Sequence, residues 1–250
     1  MAETDNYQVP AVRRAYDVLD LLAVEPGRHR LIEIAKRLEV NKSSMFALLH
    51  TLESLRLVEK NGDGRYALGS AIGALGSAFV RQYDYIAAFR REAHAAAAAY
   101  GATFQLARLE GREVVYLAIE EALAPIRLAA SPGIRLPAHA TALGKVLLAS
   151  LDGAALDLLL QEEQLGASST PYTITSRERL LEQLETVRAE GIAEDSQEAV
   201  LGICCAAAPV RDPSGRVVAA ISCSMSVFEW ANRREEIRQA VIATAARISG

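Results

Sequence analysis

Cysteine is scarce in this 250-residue chain, and the three present, Cys204, Cys205 and Cys223, sit inside apolar segments. An odd number with two adjacent is a poor disulfide set, and adjacency denies the two-to-four-residue gap with which a zinc-binding pair closes. Reduced, buried thiols and no metal are therefore expected. Long apolar runs are missing too. The stretches Ala199–Val210 and Val217–Phe228 reach twelve residues each, well short of the ~20 a membrane-spanning helix needs. The opening MAETDNYQVP has no basic region followed by an apolar core, so no secretory signal is expected and the cytosol is the expected compartment. A net charge of −4, from 27 basic and 31 acidic residues, argues against a uniformly basic nucleic-acid coat. What is present is an ordinary globular composition, 51% hydrophobic and 23% charged, long enough for roughly two domains with sizeable cores.

The charge is unevenly distributed. Residues 1–84 carry 11 basic and 11 acidic side chains, whereas the remainder carries 16 basic and 20 acidic. Within Pro26–Tyr66 eight basic residues face five acidic ones. A short, locally basic module joined to a larger acidic one directs the search for a nucleic-acid motif to the front of the chain.

That motif is readable from spacing. Val12, Ala15, Tyr16, Leu19 and Leu22 recur at three- and four-residue steps and predict an amphipathic helix over Val12–Ala23, stopped by Pro26-Gly27. Leu31, Ile34, Ala35 and Leu38 mark a second, two-turn helix. After Glu39-Val40-Asn41, with Asn41 as N-cap, a third helix runs from Lys42 to about Leu55. Its two faces differ. Met45, Leu48, Leu49, Leu52 and Leu55 form a core stripe, while Ser43, Ala47, His50 and Ser54 form a slim or polar stripe suited to approach a major groove. An ordinary solvated helix face would look similar, but Leu57–Lys60, Asn61-Gly62-Asp63-Gly64 and Arg65–Leu68 come next as strand, turn and strand. A hairpin directly after such a helix is a wing whose Lys60 and Arg65 are placed to reach the DNA backbone or the minor groove. The residues expected to face DNA are Arg30, Lys42, Ser43, Ser44, Phe46, Ala47, His50, Lys60 and Arg65. Gly62-x-Gly64 mimics a dinucleotide fingerprint, but a strand rather than a phosphate-binding helix succeeds it.

Gly69 to about Tyr83 has helical spacing diluted by three glycines and is read as a linker helix, followed by a helix over Ile86–Tyr100 that Gly101 ends. Strands are expected at Thr103–Leu109, Glu113–Ile119 and Ile126–Ala130, and helices at Ala142–Ser150, Asp152–Glu162 and Ser176–Glu190. Ile203–Val210 and Arg216–Met225 form a hairpin through Asp212–Gly215, and a terminal helix starts near Trp230. This order gives an α+β domain with an antiparallel sheet. Domains are expected at 1–69, 70–84 as the linker, and 85–250.

Testable catalytic signatures are missing: there is no H-E-x-x-H, no G-x-S-x-G, and Gly144-Lys145 lacks the earlier glycine of a phosphate loop. His139 is read as a structural hydrogen-bonding residue. No enzyme and no cofactor are expected, and a binding domain fits better. The rival is a small-molecule sensor or enzyme with a vestigial front domain.

Taken together these residues resemble the IclR-type transcriptional regulators. In the front domain the likeness rests on Arg14-Ala15, Leu31–Ala35, Lys42-Ser43-Ser44, Leu48-Leu49 with Thr51-Leu52, and Gly64-Arg65-Tyr66 with Leu68-Gly69. In the rear domain it rests on Gly133–Lys145, Gly191 with Asp195, Gly202–Val210 and Ala219–Ser222. The resemblance implies a winged helix-turn-helix, a linker helix and a GAF-like effector-binding domain. It also implies a homodimer or dimer of dimers on a palindromic double-stranded DNA operator, acting as a repressor of a catabolic operon and relieved by a small organic or aromatic acid. Carried over residue by residue, the effector site would comprise Ala142, Leu143, Asp195, Cys205, Ser222 and Ser224. Free N–H groups near Ala142, Leu143 and Gly144 would meet an anion, and Ser222 and Ser224, two apart on a strand, would donate together. Asp195 would repel an acid unless protonated or bonded to a hydroxyl, amide or hydrate on it. The sequence departs from the family pattern in Ala47, where an arginine is frequent, in Ser196 and Gln197, which replace acidic residues, and in Cys204, where a basic residue is usual.

Overall fold

The computed structural model describes residues 9–81, 83–122, 131–161, 165–166 and 168–249, and divides into two compact units at residues 1–82 and 83–250.

In the first unit, α1 (Pro10–Val24) starts on a proline, which suits a position whose N–H would be unpaired anyway. It buries Val18, Leu21 and Leu22. These pack with Ile34 and Ala35 of α2 (Leu31–Arg37) and with Met45, Leu49 and Leu52 of α3 (Lys42–Ser54) into one small core. The Asn41 side chain caps α3 by accepting from the Ser44 N–H at 2.8 Å, as its sequence position requires. Leu55 does not belong to the core: it lies past the last helical turn and is 57% exposed. The wing is three-stranded, because the two-residue strand β1 (His29–Arg30) joins β2 (Val58–Lys60) and β3 (Arg65–Leu68) in the order β1-β3-β2. The helix α4 (Ser70–Arg81) comes after the wing.

Among the described residues the second unit is built on a six-stranded antiparallel sheet in the order β6-β5-β4-β9-β8-β7. Its strands are β4 (Thr103–Glu110), β5 (Glu113–Glu120), β6 (Arg135–Pro137), β7 (Ala193–Ser196), β8 (Ile203–Arg211) and β9 (Val217–Ser226). One face is covered by α5 (Asp84–Tyr100) and α9 (Val227–Ser249); the other carries α6 (Ala142–Ala149), α7 (Gly153–Leu159) and α8 (Arg177–Glu190). Gly101 ends α5 at φ 59°, a left-handed conformation that glycine adopts without strain. The expected strand at Ile126–Ala130 lies outside the described residues. The short strands β6 and β7 were not expected; Asp195 lies within β7, ahead of β8, the strand that carries Cys205. Among the described residues no helix is long and apolar enough to cross a membrane.

Strand alternation and one bulge decide which side chains reach the α6 face of this sheet. Alternation along β8 and β9 puts Cys205, Ser222 and Ser224 on that face, while Cys204 and Cys223 point to the α9 side. On β5 a register shift opposite Leu106/Ala107 brings Tyr116 into line with Ala107, where an unbroken ladder would place Leu117. That bulge turns the Tyr116 ring to the α6 face.

Candidate functional site

A cavity of about 260 Å³ opens between the sheet and the start of α6. All six residues carried over from the resemblance line it: Ala142, Leu143, Asp195, Cys205, Ser222 and Ser224. The reading missed Gln105 on β4, Tyr116 on β5, Thr141, and the apolar Ile134, Leu136, Ala199, Val200 and Ile203. Among the described lining residues none is Lys, Arg or His.

At the start of α6 the Thr141 side chain is the N-cap and accepts from the Gly144 N–H at 3.0 Å. This corrects the expectation for Gly144: its N–H is consumed by the cap, and the amides left for a ligand are those of Ala142 and Leu143. Gly144 has another task. A Cβ there would lie 2.0 Å from the Ala138 carbonyl oxygen, so only glycine lets the helix meet the 3-10 turn Ala138–Ala140 this closely.

The two serines are also arranged differently from expectation. The Ser222 and Ser224 hydroxyls both donate to Gln105 Oε1, at 2.8 and 3.1 Å, and Ser224 Oγ lies 3.0 Å from the Cys205 thiol. In this arrangement their oxygens, not their protons, face a ligand. Turning the Gln105 amide over preserves both contacts with the amide donating and frees both hydroxyl protons for an acceptor.

Asp195 is buried, at 2% exposure, and its Oδ1 accepts from the Glu198 N–H at 2.6 Å. Desolvation pushes its carboxyl up to about 7; the backbone bond from Glu198 opposes that shift, the Glu198 carboxylate adds to it, and the Lys145 ammonium also opposes it. Burial likewise raises the Tyr116 phenol and the Cys205 thiol, so both stay neutral.

Beneath the cavity Lys145 is 1% exposed, and its Nζ donates to Glu198 Oε1 at 2.5 Å and to the Glu194 carbonyl at 3.1 Å. This buried pair, 53 residues apart in the chain, ties α6 to the segment after β7. Thr170 and Thr173 hold that segment from another side, donating to the Gln197 and Glu198 carbonyls at 2.7 Å each. His139 is buried with Nε2 unpartnered in the structure, and burial lowers its pKa, with Arg112 and Lys145 adding to the effect.

The departures from the family pattern fall mostly away from the cavity wall. Cys204 is buried on the α9 side, Ser196 is exposed, and Gln197 uses its Oε1 to accept from the Gly202 N–H at 3.0 Å.

In the first unit the slim stripe is solvent-facing as expected: Ser43, Ala47, His50 and Ser54 are all exposed, as are Arg30, Lys42, Ser44 and Lys60. Phe46 is 60% exposed and tilts over His50 with ring centroids 6.3 Å apart. The Ser43 hydroxyl donates to Asn41 Oδ1 at 2.9 Å, and the Lys60 ammonium sits 5.8 Å from the Tyr66 ring centroid. Arg65 is only half-exposed and donates to the Arg28 carbonyl, which braces the wing and restrains its reach.

Comparison with known proteins finds two family models. "IclR helix-turn-helix domain" matches residues 11–62, and "Bacterial transcriptional regulator IclR C-terminal" matches residues 77–250. The chain is 36% identical over 242 residues to the HTH-type transcriptional regulator XynR of Escherichia coli strain K12, covering 94% of this chain and 95% of that protein. It is 31% identical over 215 residues to the HTH-type transcriptional repressor AllR of Salmonella typhimurium strain LT2, covering 86% and 79%. The crystal structure of the Thermotoga maritima IclR superposes with a TM-score of 0.82 at 27% identity, over 97% of this chain and 98% of that one.

Proposed function

The chain belongs to the IclR family of bacterial transcriptional regulators, and on that premise we propose that it represses a catabolic operon until a small carboxylate or aromatic acid fills the cavity of residues 83–250. The observation that carries this reading is the convergence of one mostly apolar cavity with two unpartnered amides at a helix start and a short list of neutral or weakly acidic polar groups. An effector carboxylate would accept from the Ala142 and Leu143 N–H groups, where the positive end of α6 adds to the attraction. Ser222 and Ser224 would donate to it once the Gln105 amide is turned, and Leu136, Leu143 and Ile203 would cover the apolar remainder. Cys205 and Tyr116 supply weak polar contacts at the same wall.

On DNA, Ser43, Ala47 and His50 would enter the major groove, with Phe46 beside them. Arg30, Lys42, Ser44, Lys60 and Arg65 would meet phosphates or the wing's groove. Ala47 cannot make the guanine contact that an arginine gives. The functional unit is proposed as a homodimer or dimer of dimers on a palindromic operator, with α4 as the linker within residues 70–84. Effector binding switches DNA affinity only if it favours one arrangement of the linked protomers over another.

The test is selection of fragments of the source genome by the purified full-length chain over a salt series. Enrichment of a palindromic site, with affinity falling steeply in salt and a shallower slope in Lys42→Ala and Lys60→Ala, is expected. No sequence-preferring complex at any salt concentration would overturn the reading. The effector half is tested separately, by release of that fragment on titration with small carboxylates.

A further inference from the structure

The buried groups around Asp195 do not balance as written. Two carboxylates, Asp195 and Glu198, are withdrawn from solvent together with a single ammonium, Lys145. That ammonium is committed: it contacts Glu198 Oε1 at 2.5 Å and the Glu194 carbonyl at 3.1 Å. Asp195 receives backbone N–H bonds from Glu198 and Ala199 instead of a cation. Among the described residues the other titratable groups facing it are Tyr116 from β5 and Cys205 from β8, its partner in the strand register, both neutral; Cys204 and Glu194 lie on the far face, where Arg234 and Arg238 of α9 neutralise Glu194. A buried carboxyl with no counter-ion is stabilised by holding its proton.

We propose that Asp195 is the specificity-determining group of this cavity, a carboxylic acid that keeps its proton and donates it to an acceptor oxygen of the effector. The inference rests on the effector-site reading above and deepens it. With no cation among the described lining residues, these offer partners for one negative charge: a monocarboxylate bonds to the two α6 amides and to the Asp195 O–H, whereas a second anionic group meets no partner among them. Binding such an anion raises the affinity of Asp195 for its proton, so a proton is taken up from solvent with the ligand. The affinity of the anion falls as pH rises through the titration of free Asp195, by up to tenfold per pH unit.

The raised carboxyl pKa of Asp195 agrees with this charge count. Two measurements separate the inference from the reading beneath it. In the full-length chain labelled with carboxyl-13C aspartate, the resonance lost in Asp195→Asn is assigned to Asp195 and titrated without ligand. A midpoint near neutrality, moving down in Glu198→Gln where the like charge is gone, is expected; a midpoint in the ordinary aspartate range overturns the proposal. Calorimetry then uses benzoate as the probe, in buffers of differing ionisation enthalpy between about pH 6 and 8. Proton uptake and weakening with pH in wild type, both abolished in Asp195→Asn, are expected, and benzoate affinity that is flat across the range in wild type overturns the proposal. Failure of benzoate to bind at any pH would count against aromatic acids as effectors, while the carbon titration would still decide the state of Asp195.

Discussion

Replacing Lys145 by methionine asks whether charge holds the floor of the cavity. Methionine keeps an unbranched stem in the space between α6 and the segment after β7, but removes the 2.5 Å contact to Glu198 and the 3.1 Å contact to the Glu194 carbonyl. Glu198 would then be a buried carboxylate without a cation, and its Oε2 already lacks a hydrogen-bond partner. Orphaning one member of a buried ion pair costs about 3–5 kcal/mol, against less than about 1 kcal/mol for an exposed pair such as Arg216–Asp212. For a unit of this size 1 kcal/mol moves the melting temperature by about 2–4 °C, so the expected drop is roughly 6–20 °C. Trp230 is the only tryptophan in the chain and is buried on α9 of the same unit, so its fluorescence tracks that unit's unfolding and not the other's. The double variant Lys145→Met with Glu198→Leu removes both charges and should recover most of the loss. A single Lys145→Met chain within about 1 kcal/mol of wild type would refute the reasoning, because the pair would then be no more than surface-like.

Other perturbations read different parts of the structure. Gly144→Ala must push the start of α6 away from the Ala138 carbonyl, which a Cβ would approach to 2.0 Å. A loss of about 1–3 kcal/mol or more, accompanied by altered cavity binding, is expected in Trp230-monitored urea unfolding; an unchanged midpoint would show that the two elements separate freely. Asn41→Ala removes the cap of α3, and circular dichroism of the isolated 1–82 segment, compared with its wild-type counterpart, should register a loss of about 1 kcal/mol. The raised carboxyl of Asp195 makes a stabilising contribution that is complete below the ordinary aspartate value and is lost as pH climbs to about 7. Between about pH 4 and 7 the stability difference between wild type and Asp195→Asn should therefore shift against wild type; a pH-independent difference would mean that Asp195 titrates normally. Carboxylates with lowered pKa, such as Glu110 beside Arg108 and Arg135, contribute the opposite slope but cancel in that comparison.

Sequence patterning located nearly every helix because each carries its own signals. Asn41, Thr141 and Asp152 cap the helices they precede, and Gly101 and Gly191 end theirs in left-handed geometry. Leu55 misled because helical spacing continues for one position beyond the point where the helix still faces its core. The strands β1, β6 and β7 are two to four residues long and exist because a partner strand pairs with them. Nothing within so short a segment distinguishes it from a loop.

The candidate site divides along the same line. Ser222 and Ser224 were assigned to a shared face correctly because β9 runs past them without interruption, so a period of two suffices. Tyr116 was missed because a one-residue shift on β5 reverses the faces beyond it, and counting alternation from either end of the strand gives opposite answers. Lys145 and Glu198 were missed for a third reason. Their partnership spans 53 residues and rests on α6 lying over β7, a packing relation that no local pattern encodes. Gln105 shares the third problem, since its amide controls two serines more than a hundred residues away. The residues that would contact an effector were therefore partly legible, whereas those that set their protonation and hydrogen-bond polarity were not. Substitutions at Gln105, Lys145 and Glu198 should accordingly alter the chemistry that Ser222, Ser224 and Asp195 present, even though those three residues are unchanged.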